Sequence, residues 1–213
     1  MLVMDEAAPE SSSGTSLMSP SRLETFSDGV FAIAATLLIL DVRVGVGDLG
    51  TDLRHIWPSY AAYAVSFLTI GIIWINHHRV FTQIRHVDRA FLLVNVAFLM
   101  VVAFIPFPTS LIAAQLRGGD LEPAALTYGA TLTTTAIFFN VLWFYAASGQ
   151  RLLRSDADPR VVSGISRSYL PGPFIYLAAT LTALVSPTAS VVLFGVITVF
   201  YIVESSVFGR SAA

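Results

Sequence analysis

Asp28 and Asp41 bracket twelve uncharged residues, Gly29 to Leu40, in a stretch that is apolar apart from Thr36. As a helix this run covers roughly 18–20 Å, against a hydrocarbon core of about 30 Å. A carboxylate held at such depth costs from about 2.5 kcal/mol upward, so it normally faces protein or a water-filled path. The pair therefore predicts an inner helix with acids at its ends, and such a helix suits a route for cations.

Two adjacent histidines, His77 and His78, resemble metal ligands at first sight. Neighbours on a helix point about 100° apart, and helical zinc sites use spacings of three or four with a further acid or thiolate. The spacing instead favours a hydrogen-bonded His77 near the same helix end as Asp28, close enough for a mutual contact. Val44-Gly45-Val46-Gly47-Asp48 superficially matches a potassium filter built of carbonyls. That filter needs a re-entrant pore helix before it, and only about a dozen residues separate the first apolar run from the second. We read a Gly-rich outer loop and no pore loop. Thr131, Thr133, Thr134, Thr135 and Asn140 recur along a later apolar run and are assigned to interhelical packing.

The elements that carry these residues belong to a membrane. The chain is 213 residues long, 55% hydrophobic and 12% charged, where a soluble domain has about 25% charge. All twelve basic residues are arginine and the net charge is −2, which makes nucleic acid an unexpected partner. The absence of cysteine excludes disulfides and thiolate chemistry. Residues 1–18 are acidic and Ser-rich and are expected to be a disordered cytoplasmic tail; 211–213 form a short C-terminal tail. Between them, 19–210 make one transmembrane domain with six apolar segments: 21–44, 56–81, 87–114, 123–149, 169–185 and 187–208. Ser21-Arg22-Leu23-Glu24 has the form of a capping box, Pro106 and Pro108 predict a bend in the third segment, and 150–168 reads as the longest loop. Nine arginines fall in the loops and tails of one side and three on the other, which places both termini in the cytoplasm.

Along the first segment, Phe26, Val30, Ile33, Leu37 and Leu40 form a bulky stripe, and Gly29, Ala32, Ala35 and Thr36 a face of small residues suited to close helix approach. Spacing alone leaves the stripe open between core, lipid face and the lining of an axis shared by several subunits.

The run Arg22-Leu23-Glu24-Thr25-Phe26-Ser27-Asp28, followed by an apolar helix containing Ala35-Thr36-Leu37, resembles the signature of the transmembrane-protein-175 potassium channels, bacterial single-repeat branch. Trp74-Ile75-Asn76-His77-His78-Arg79-Val80-Phe81 and Phe104-Ile105-Pro106-Phe107-Pro108 resemble two further blocks of that family, in the same order. The resemblance implies an all-α subunit of six transmembrane helices without a pore loop, four copies meeting so that the first helix lines a central pore. It implies a constriction of side chains at Ile33, Leu37 and Leu40, and a hydroxyl ring at Thr36 that prefers potassium. Arg22, Phe26, Ser27 and Asp28 would form a supporting network with Trp74 and His77. Potassium is the permeant ion, with no cofactor and no resident metal; the expected partners are the chain itself as a homotetramer, the bilayer of the cell membrane and monovalent cations. Ala35 and Asp41 depart from the family pattern, and Asp41 would sit where an outer acidic ring could form. A proton-coupled transporter using Asp28 and His77 is the alternative, and a membrane hydrolase using His77 and His78 a third reading that lacks a metal-spaced acid or an activated nucleophile.

Overall fold

The computed structural model describes residues 18–42, 49–116 and 118–208. The N-terminal tail, the Gly-rich stretch at 44–48 and the C-terminal tail lie outside the described residues, as does the side chain of Asp41.

The described residues are helical, with isolated bridges in place of sheet. Helix α1 (Ser21–Leu37) tightens into a 3-10 turn at Leu38–Asp41, so the first apolar segment ends its α-helix earlier than its hydropathy predicts. A short α2 (Leu49–His55) leads into α3 (Trp57–Gln83), whose Pro58 takes a position where its missing N–H leaves no bond unmade. The third segment is broken at Ile105 into α4 (Arg89–Phe104) and α5 (Pro106–Gln115), the bend that Pro106 and Pro108 predict. Helix α6 (Leu121–Ala147) ends in a turn where Gly149 takes φ +63°, a backbone region that favours glycine.

The connection read as a loop contains α7 (Pro159–Tyr169). Asp158 accepts the Arg160 N–H at its start, Pro159 opens it, and of its residues only Ile165 is buried. A polar amphipathic helix carries too little hydropathy to stand out beside membrane spans. Pro171, Gly172 and Pro173 then delay the fifth segment, which becomes α8 (Gly172–Thr182), 11 residues or about 16 Å. The sixth is α9 (Pro187–Phe208). Among the described residues, four helical stretches are long and apolar enough to cross a membrane: Ser21–Leu40, Trp57–Gln83, Arg89–Gln115 and Leu121–Gln150. This is the body of an integral membrane protein.

Helix α6 forms the centre, packed on α4, α5, α8 and α9. Its Gly129 permits the closest approach: a Cβ there would stand 2.3 Å from Thr180 Oγ1 on α8. The hydroxyls assigned to packing divide into two groups. Thr131 and Thr135 donate to carbonyls four residues back in α6, while Thr133 meets Thr180 at 3.3 Å and Asn140 reaches the Tyr169 carbonyl at 3.1 Å.

At one end of the bundle, Met18 exchanges backbone hydrogen bonds of 2.8 Å with Val87, and Arg154 N–H donates to Gln83 O at 2.9 Å. These stitches bring the α1 entry, the α3–α4 turn and the α6–α7 connection together, so Arg85, Arg89, Arg151 and Arg154 share one end. Asp88 locks it. Its carboxylate caps α4 at Phe91 N–H and accepts from the Tyr145 hydroxyl and the Arg151 guanidinium, both at the end of α6.

Candidate functional site

Helix α1 packs inward on α3 and α4 through Leu23, Ser27, Phe31, Ala34 and Leu38, all buried. The bulky stripe and the small face join that core only at their half-buried edges, Val30 and Ala35. At 100° per residue the stripe from Phe26 to Leu37 is centred about 100° round the helix from the buried face. Ile33 is 61% exposed, Leu37 43% and Leu40 61%. Phe26 is also exposed, and the small face at Gly29, Ala32 and Thr36 lies open beyond the stripe. A single subunit thus leaves two apolar faces of its first helix uncovered. Thr36 donates its hydroxyl to Ile33 O at 2.9 Å, which commits the proton and leaves oxygen lone pairs available to a cation.

Behind the stripe, one buried chain of hydrogen bonds ties α1 to α3 and α4. Ser27 donates to Leu23 O at 2.8 Å, so its oxygen accepts from Asn95 Nδ2 at 3.0 Å. Asn95 therefore presents Oδ1 to His77 Nε2, 3.0 Å away, and that nitrogen carries the proton. The imidazole is held among the rings of Phe31, Phe81 and Phe98 at 4.3–5.7 Å between centroids. Ser27, Asn95 and His77 are fully buried.

The expected Asp28–His77 contact is not formed. Trp74 lies three residues before His77 on α3, and its Nε1–H reaches Asp28 Oδ1 at 2.8 Å on the exposed side, while His77 turns into the aromatic cage. The capping box is also not formed. The helix starts with Pro20 at the cap position, which makes Ser21 its first residue, and Glu24 is drawn instead to His78 Nδ1 at 3.1 Å. The two histidines diverge, one buried on Asn95 and the other exposed on Glu24. Arg22 is exposed and makes no ion pair with the described residues. Sequence reading missed Asn95. Its signal is an amide alone in the otherwise apolar run from Phe91 to Phe104, and an isolated polar group within a span needs a partner.

The family described as the endosomal/lysosomal potassium channel TMEM175 matches residues 22–106, the part that holds α1, α3, Asn95 and the bend at Ile105. A potassium channel of Chamaesiphon minutus is 40% identical over 210 residues, 95% of this chain and all of that one. The chain belongs to the TMEM175 family. A potassium channel of Streptomyces collinus is 41% identical over 84% of this chain and 90% of its own length. In structure, the TMEM175 family is represented by a lysosomal potassium-selective channel homolog from Chamaesiphon minutus, similar at TM-score 0.79 and 37% identity over 87% of this chain and 97% of that one. Chicken TMEM175, named an endosomal/lysosomal proton channel, is 33% identical over 63% of this chain but only 29% of its own length.

Proposed function

We propose that this chain is one subunit of a homotetrameric, potassium-selective cation channel of the cell membrane. Its relatives at 40% and 41% identity are named potassium channels. One observation carries the reading: the first helix leaves Ile33, Leu37 and Leu40 exposed beside a face already packed against its own subunit. Four such helices around an axis would bury the stripe at the centre and the small face against the neighbouring subunit. Each subunit contributes six transmembrane segments, with α8 and α9 as the last two and both termini on the arginine-rich cytoplasmic side.

A ring of Ile33, Leu37 and Leu40 offers an ion no ligands and closes by dewetting. When it widens, the ion that sheds water more easily passes first, and potassium holds its hydration less tightly than sodium. Thr36 oxygens replace part of that shell. Ser27, Asp28, Trp74 and His77, with Phe26 and Arg22, hold or flank the pore helix and take no part in coordination. The proton-coupled reading has less support, since Asp28 and His77 are engaged by separate partners.

Recording purified protein in planar bilayers under bi-ionic potassium and sodium tests the mechanism. Ile33→Asn and Leu37→Ser are expected to raise sodium permeability; unchanged reversal potentials in both would overturn it. A monomer in detergent would exclude the shared axis.

A further inference from the structure

Arg22 stands at the start of α1 and shares the azimuth of the exposed stripe. Ile33 follows 11 residues later, three turns plus about 20°, and Leu40 18 residues later, about five turns. Phe26, one turn on, is offset by about 40°. All four side chains are exposed. Arg22 lies roughly 16 Å from Ile33 along the helix, towards the arginine-rich end.

The carboxylates of the same helix turn elsewhere. Glu24 is about 160° round the helix from Arg22 and Asp28 about 120°. Both face α3: Glu24 meets His78 Nδ1 at 3.1 Å, and Asp28 accepts the Trp74 Nε1–H at 2.8 Å. Arg79, the next residue on α3, is again positive and exposed. The family resemblance assigns Arg22 to the network that supports α1, yet that network closes through Ser27, Asn95 and His77 without it. Arg22 makes no ion pair with the described residues. It is the one charge in line with Ile33 at this end of α1.

We propose that Arg22 sets the charge at the inner mouth of the pore, as a ring of four that depletes potassium on the cytoplasmic side and favours inward over outward current. The ring exists only if four α1 helices meet at an axis, as proposed above. Four unit charges acting across about 10 Å of water, screened over one Debye length at about 0.1 M salt, lower the local concentration of a monovalent cation about threefold. Outward flux loads from that depleted layer, and inward flux loads from the opposite end. Sodium and potassium carry equal charge, so the ring biases direction and leaves the choice of ion to the constriction.

Single-channel recording of the full-length protein in inside-out patches, with equal potassium on both sides, provides the test. At about 0.1 M ionic strength, Arg22→Gln is expected to raise outward relative to inward current about threefold. Arg22→Glu should raise it further, and Arg22→Lys should behave as wild type. An impermeant organic salt that brings the bath to about 1 M shortens the Debye length to about 3 Å, and should bring wild type to the Arg22→Gln ratio. Bi-ionic reversal potentials are expected to be the same in all four proteins. A current ratio unchanged in Arg22→Gln, or a wild-type ratio unmoved by high ionic strength, would overturn the proposal. So would loss of the tetramer in Arg22→Gln, because Arg22 would then be a tie between subunits. Wild-type protein without potassium current would defeat the pore reading itself, whereas potassium-selective current with the same ratio in wild type and Arg22→Gln defeats only the role of Arg22.

Discussion

Replacing Asn95 by Leu removes the hub that joins α1 to α3 and α4 at nearly constant volume. Two interhelical hydrogen bonds of 3.0 Å disappear, to Ser27 and to His77. Such bonds in membranes average about 0.6 kcal/mol each, or about 1.2 kcal/mol together. Ser27 loses little more, because its hydroxyl still donates to Leu23 O. His77 fares worse: its Nδ1 is already buried without a partner, and the substitution orphans Nε2–H as well. An unsatisfied buried donor adds about 1–3 kcal/mol, so Asn95→Leu is expected to destabilise the purified protein by about 2–4 kcal/mol. In a His77→Phe background the orphan does not arise, and a phenyl ring can pack among Phe31, Phe81 and Phe98. The double variant His77→Phe/Asn95→Leu should therefore be more stable than Asn95→Leu alone, with a coupling of about 1 kcal/mol or more. Equilibrium unfolding in detergent of the four proteins of this cycle reads the coupling directly. Additive losses, or an Asn95→Leu protein as stable as wild type, would refute the argument that this network anchors α1.

Other outcomes follow from the same geometry. Burial opposes ionisation of Asp88, but the Phe91 N–H, the Tyr145 hydroxyl and Arg151 outweigh it and hold its pKa below the ordinary 3.8. Its contribution to stability should be full above that ordinary value and be lost as pH falls through the lowered native one. The gap in melting temperature between wild type and Asp88→Ala, set near neutral pH by the lost cap of about 1 kcal/mol and the lost ion pair, should therefore close only in strong acid. A gap that closes between pH 6 and 5 would contradict this. Gly129→Ala forces a methyl group against Thr180 and Phe194 and is expected to cost about 1–3 kcal/mol, checked by unfolding in detergent. In the proposed pore stripe, Ile33→Asn and Leu37→Ser should change reversal potential while each subunit still folds, checked by circular dichroism, since both side chains are exposed within the subunit.

The amino-acid sequence on its own determined the membrane class, the course of α3 and α6, the break at Pro106, and the stripe at Ile33, Leu37 and Leu40. Each depends on hydropathy, periodicity or a backbone limit, all of which act over a few residues. It also carried the family through motifs that occupy contiguous stretches of chain. The polar α7 escaped notice because its low mean hydropathy hides a strong amphipathic pattern beside apolar spans, and the capping box misled because Pro20 takes the cap position, which puts Ser21 inside the helix and leaves Glu24 to His78, 54 residues away. Which of Asp28 and His77 meets Trp74 or Asn95 was decided only in three dimensions. Trp74 and His77 lie three residues apart on one face of α3, so spacing does not say which of them meets Asp28, and a long-range hydrogen bond depends on where α4 lies against α1 and α3. The bond from Asn140 to the Tyr169 carbonyl was likewise invisible beforehand, since it arises only once α6 has set its amide against the end of α7.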